Sequence, residues 1–121
     1  MPKGTELLRT KPGLCVKTQI RFKAGQLQKL YINVCATERL GDFNMGDGQN
    51  VQLPFTLGPP RPDQDGKSKM CMTCEIAVSP KSVDMARQNP HFLKMLVDIT
   101  TQNVEEHYLQ GEEEVLKDYQ I

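Results

Sequence analysis

Two stretches near the start of the chain alternate apolar and polar side chains with a period of two. In the first, Leu14, Val16, Thr18, Ile20 and Phe22 point one way, opposite Cys15, Lys17, Gln19, Arg21 and Lys23. In the second, Leu30, Ile32 and Val34 share a face opposite Lys29, Tyr31, Asn33 and Cys35. Such alternation predicts half-buried strands over about 14–22 and 29–35, both turning an apolar face to one core. The connection from Lys23 to Gln28 carries Gly25 at its centre, which predicts an antiparallel hairpin. Lys17, Arg21, Lys23 and Lys29 then share an exposed cationic surface that suits an anion.

Further along, Ala36 to Asn50 is rich in Gly, Asp and Asn and reads as loop. Val51 to Leu57 is extended but contains Pro54, which cannot donate to a ladder, so an edge strand or irregular piece is expected. Gly58 to Ser68, with Pro59, Pro60 and Pro62, reads as a long polar loop. Met70 to Val78 is nearly all apolar, as in a strand covered on both faces. Ser79-Pro80 and Asn89-Pro90 each pair a capping side chain with proline at the first helical position. They predict a helix to about Gln88 with Val83 and Ala86 inward, then a longer one to about Tyr108. The longer helix carries a stripe of Leu93, Leu96, Val97, Thr100, Val104 and Tyr108, with Phe92, Met95 and Ile99 alongside. Strands first and helices last predict a single α+β domain, a small mixed β-sheet flanked by C-terminal helices.

Composition narrows the function more than the fold. A chain of 121 residues with 38% hydrophobic side chains supports one modest core. Lys plus Arg equals Asp plus Glu at 15 each, so no global field recruits nucleic acid. The charge is nonetheless uneven: residues 1–30 are basic and Glu105 to Asp118 is acidic, a pattern that fits a charged peptide or protein partner. No apolar run is long enough to span a bilayer, and no secretory segment opens the chain. The four cysteines sit among apolar residues and read as reduced thiols of a cytoplasmic or nuclear protein. Residues 112–121 start a new element and stop, so a piece of a longer protein is expected, with 1–10 as a polar lead-in to a domain over 11–121.

Catalytic chemistry finds little support. Cys71 and Cys74 resemble a metal or redox pair, but on a strand residues three apart face opposite sides, and a zinc site needs two further ligands. His91 and His107 belong to no ligand pattern, and Glu105-Glu106-His107 reads as a solvated last turn. The glycines follow no phosphate-loop spacing, and no serine or cysteine has a base suited to nucleophilic catalysis. The cationic strands are the better candidate, because a phosphoserine carries close to two charges that convergent lysines on rigid strands can pair. Any single strand lysine is more often a solubilising group.

Lys11-Pro12-Gly13-Leu14-Cys15-Val16-Lys17-Thr18, followed by Lys29-Leu30-Tyr31-Ile32-Asn33-Val34-Cys35, resembles the paired opening motifs of the PIH domain, named for proteins interacting with heat shock protein 90. The resemblance continues through Leu53-Pro54-Phe55-Thr56-Leu57-Gly58, Glu75-Ile76-Ala77-Val78-Ser79-Pro80 and Phe92-Leu93-Lys94-Met95-Leu96, and covers about residues 11–108. Wording around Pro80 to Arg87 is similar to the Kintoun branch. The resemblance implies a non-enzymatic adaptor that links heat shock protein 90 and RuvB-like ATPases to client complexes. Those clients are axonemal dynein arms in the Kintoun branch, and small nucleolar ribonucleoproteins or PI3-kinase-like kinases in another. It also implies a site for an acidic, serine-phosphorylated peptide, with Lys17 and Lys29 on the phosphate and Lys67 beside them. Arg21, Lys23, Tyr31 and Asn33 are the expected supporting residues. No cofactor, metal, membrane or direct nucleic-acid partner is expected. The family's basic residues after the long helix have no counterpart here, where the chain reads Glu112-Glu113-Glu114-Val115-Leu116-Lys117-Asp118. The rival readings are a phosphate-independent scaffold using Phe55, Leu57 or the acidic C-terminal segment, and a cysteine-dependent metalloenzyme.

Overall fold

The computed structural model describes residues 10–43, 53–64, 66–67, 69–109, 113–116 and 118–121. The lead-in over 1–9, the later part of the glycine-rich loop (44–50) and the first two residues of the extended piece (51–52) lie outside them. The alternating stretches form β1 (Lys11–Arg21) and β2 (Leu27–Ala36), each longer than the pattern alone suggests. They pair antiparallel, and the turn between them closes with Phe22 N–H donating to Gln26 O at 2.8 Å and Gly25 N–H to Phe22 O at 2.8 Å. Gly25 has φ +88°, a conformation open to glycine at little steric cost.

Four further strands complete a mixed sheet: β3 (Thr56–Leu57), β4 (Arg61–Gln64), β5 (Met70–Val78) and β6 (Glu114–Val115). The order is β3-β5-β2-β1-β6, with β4 also on the free side of β5. β5 runs parallel to β2, in register from Leu30↔Met72 to Ala36↔Val78. The edges of the sheet bring one correction to the sequence reading and one addition. The polar stretch 58–68 holds a strand, because the outer edge of β5 supplies a ladder for Arg61 to Gln64 although all four side chains are exposed. The acidic end does start a further element, β6, which pairs with β1 through Ile20↔Val115 and Arg21↔Glu114, with the bridge Lys17↔Gln120 beyond it.

Both helices begin at their capping signals. In α1 (Pro80–Gln88), Ser79 Oγ accepts from Ser82 N–H at 3.1 Å. In α2 (Pro90–Tyr108), Asn89 Oδ1 accepts from His91 and Phe92 N–H at 2.9 and 3.2 Å. Val83 and Ala86 of α1 and Leu93, Leu96, Val97 and Val104 of α2 cover the sheet face of Val16, Ile20, Leu30, Ile32, Val34, Cys74, Ile76 and Val78. Burying an aliphatic side chain of this kind contributes about 2 kcal/mol. Tyr108 departs from its expected stripe and is 43% exposed, because α2 ends there with Leu109 as its cap. Glu105, expected in solvent, accepts from Val115 N–H at 2.7 Å and ties β6 to the helix.

Among the cysteines, Cys35, Cys71 and Cys74 are buried, Cys15 is half-buried, and none forms a disulfide. Burial pushes the Cys74 thiol up to about 12, with the Glu75 carboxylate adding to the effect. The unfolded chain releases that proton first, so stability present at neutral pH declines between about pH 9 and 12. Near pH 10 this single group lowers stability by about 1.4 kcal/mol. Cys74→Ala is expected to carry a constant packing cost but a shallower alkaline slope in urea midpoints measured from pH 8 to 10.5. An unchanged slope would place the alkaline sensitivity in other groups.

Candidate functional site

The face of β1 and β2 turned away from the helices carries the polar half of the alternation. The register sets Lys17 opposite Tyr31 and Gln19 opposite Lys29, so the two lysines are diagonal neighbours on one side of the sheet. Diagonal positions of this kind lie roughly 7–8 Å apart, within reach of a shared group for long side chains. Lys17, Lys29 and Tyr31 line one cleft of about 470 Å³, whose opposite wall is Asp118, Tyr119 and Gln120.

That wall is held by β1 itself. Lys17 and Gln120 exchange both backbone hydrogen bonds, at 2.7 and 2.9 Å, and Leu116 N–H donates to Gln19 O at 2.9 Å. Thr18 Oγ1, on the buried side, lies 3.0 Å from Leu116 O and 2.8 Å from Asp118 O, within hydrogen-bonding reach of both carbonyls. The lysine ammoniums therefore project beside a fixed strand-like segment, which limits the ordering cost of binding. Asp118 also lines this cleft, so an anionic ligand must present enough charge to outweigh a nearby acidic residue.

Of the seven residues expected at the site, Lys17, Lys29 and Tyr31 come together. Arg21 is engaged at the sheet edge with Glu114, at 3.4 Å, and Lys23 lies in the hairpin turn. Asn33 lines a separate cleft with Cys15, Cys35 and Glu75, two residues beyond Tyr31 along β2. Lys67 sits in the turn after β4 and lines neither lysine-bearing cleft; Lys69 instead lines the cleft adjoining Lys29. The row Lys17, Tyr31, Thr73 and Arg61 continues across the sheet, with Arg61 3.6 Å from Glu75. Sequence reasoning missed Arg61, Lys69 and the wall of 118–120, because none shows a local signal and each is placed by pairing with a distant strand. The described residues hold no cluster of three or more His, Cys, Asp and Glu side chains able to ligate a metal, and no helix long and apolar enough to cross a membrane.

The sequence profile of the PIH1 N-terminal domain family matches residues 2–117. The chain belongs to that family. PIH1 domain-containing protein 1 of Xenopus laevis is 24% identical over 126 residues, covering 94% of this chain. Protein kintoun of Drosophila mojavensis is 27% identical over 110 residues, or 84% of the chain, and that of Chlamydomonas reinhardtii 27% over 88 residues, or 65%. The chain spans 40% of the length of the first relative and 12% and 13% of the two kintoun proteins. The N-terminal domain of yeast PIH1p superposes with a TM-score of 0.70 at 14% identity, covering 94% of this chain and 85% of that one, which shows a common fold. In this PIH1 domain the paired opening motifs are thus the two adjacent strands that present Lys17 and Lys29.

Proposed function

We propose that this PIH1 domain is a non-catalytic docking module for acidic, serine-phosphorylated segments of other proteins. The observation that carries the reading is the convergence of Lys17 and Lys29 on one cleft. Phosphate oxygens accept charge-assisted hydrogen bonds from the two ammoniums, and the Tyr31 hydroxyl on the same wall offers a further polar contact. Ligand carboxylates on either side of the phosphate reach the outlying cations, Lys69 and Arg61 on the sheet face and Lys67, Lys23 or Arg21 at its margins. In keeping with the family resemblance, we read the module as part of a cytoplasmic co-chaperone of heat shock protein 90 that works with RuvB-like ATPases in assembling large complexes. Similarity to the kintoun proteins favours axonemal dynein arms as the clients.

The test is calorimetric titration with one acidic peptide synthesised with serine and with phosphoserine. The phosphorylated form is expected to bind at least about tenfold more tightly, from one or two added charge-assisted bonds. The difference should shrink as salt is raised, since the cleft is open to screening ions. Equal affinities would overturn the phosphate reading in favour of phosphate-independent docking.

A further inference from the structure

The lysine-bearing face of the sheet continues beyond Tyr31. Pairing sets Cys15, Asn33 and Glu75 side by side as the next row, two residues further from the hairpin on each strand than Lys17, Tyr31 and Thr73. Two-residue alternation keeps all of them on one face. With Cys35, the new row lines a cleft of about 440 Å³. Its charge is opposite to that of the hairpin end, where Lys29 and Lys69 line a cleft together. The row of Cys15, Asn33 and Glu75 holds no cation and one carboxylate, so the face is dipolar along the strands.

The Glu75 side chain is 50% exposed, and its ion pair with Arg61, at 3.6 Å, involves a side chain that is 67% exposed. A pair so open to water is worth little and yields to a better-placed cation. Cys15 is half-buried and Cys35 buried, and a thiol packs as a small apolar group. Burial raises both thiols above their ordinary value, so neither adds a charge at neutral pH. Asn33 adds an amide oxygen as acceptor. An apolar floor with acceptors at one side fits a basic side chain, whose methylene stem lies on the thiols while its head meets the carboxylate. An extended ligand with its phosphate between Lys17 and Lys29 advances roughly 7 Å for every two residues, the spacing of the rows themselves. Its side chain two or three positions away from the hairpin end therefore comes level with Asn33. Glu75 stands one strand to the side, roughly 5 Å, a distance that lysine or arginine covers.

We propose that the cleft of Asn33 and Glu75 is a subsite for a lysine or arginine of the ligand, roughly two or three residues from the phosphoserine on the side away from the hairpin. The inference rests on the phosphopeptide reading and deepens it: the recognised segment combines a phosphoserine, acidic neighbours and one basic residue on a single side, which also fixes the direction in which the ligand lies.

The test uses the whole chain and acidic phosphoserine peptides in which arginine, alanine or aspartate is placed in turn at the second and third positions on each side. Arginine is expected to tighten binding about three- to fivefold over alanine on one side only, the worth of one half-exposed ion pair, and aspartate at the same position to weaken it. Glu75→Gln should lose the arginine gain and keep the preference for phosphoserine over serine. Arg61→Gln should enlarge the gain, because it removes the cation that competes for Glu75. Opposite responses of the two variants separate a ligand contact from a loss of folding, which a circular-dichroism melt of each also records. Phosphate-dependent binding in which arginine gives no gain at any position, or a gain that survives Glu75→Gln, would overturn the subsite and leave the phosphate site standing. Binding that ignores the phosphate overturns both.

Discussion

Replacing Lys17 and Lys29 together by alanine is expected to abolish binding of an acidic phosphoserine peptide while leaving the thermal transition nearly unchanged. Both side chains are exposed on a sheet whose core lies on the opposite face, and substitutions at such positions usually shift stability by within about 0.5 kcal/mol. Lys17 makes no ion pair among the described residues, so its loss leaves no partner uncompensated there. Binding is a different matter. Each charge-assisted bond to a phosphate is worth about 1.5–3 kcal/mol, so removing two weakens binding by about a hundredfold or more. Each single variant should lose a smaller part, and Lys81→Ala, on the first helix at the other face of the sheet, should change affinity little. Calorimetry with a circular-dichroism melt of each variant checks the claim. Affinity retained by the double variant would remove these lysines from the site.

Gly13→Ala should cost about 3 kcal/mol, at the upper end of the range for overpacked sites and a large fraction of what a small domain has. A Cβ at this position would lie 2.5 Å from Val34 O and 2.9 Å from Val83 Cγ1. The first of these atoms is backbone of β2, beside the register shift between Pro12 and Leu14, and cannot give way without disturbing the ladder. The second belongs to α1, wedged against the same strands. Arg87 Nη2 also donates to Gly13 O at 2.7 Å, so the glycine is gripped from the helix side as well. The small residue in the opening motif is therefore what lets α1 and β2 approach β1 closely, and through β1 it governs where Lys17 sits. Gly41→Ala is the control, since nothing lies within 4 Å of a Cβ there and its cost should be small. Urea denaturation of the two variants separates the positions. Similar midpoints for both would show that β1 shifts freely at its start.

Much of the fold was legible because its signals are local. Alternation in Leu14–Phe22 and Leu30–Val34 marks which side chains leave water, and Ser79-Pro80 and Asn89-Pro90 satisfy helix N–H groups within three residues. The same alternation placed Lys17 and Lys29 on the polar face, and the hairpin made them neighbours. The residues of β4 carry no such signal: Arg61, Pro62, Asp63 and Gln64 are exposed and become a strand only because the edge of β5 offers hydrogen bonds. The placement of Glu114, Val115, Leu116 and Asp118 is likewise decided by β1, Thr18 and Glu105, some ten to a hundred residues away.

The sequence by itself therefore determined the class of the domain, its helices, its central strands and the cationic face, since burial and capping act between near neighbours. Tertiary structure alone decided that Asp118, Tyr119 and Gln120 wall the cleft, that Lys69 lines a cleft together with Lys29, and that Arg21 is engaged with Glu114. Those outcomes depend on which edges pair, and edge pairing is set by backbone groups that every residue shares, so side-chain pattern carries almost no record of it.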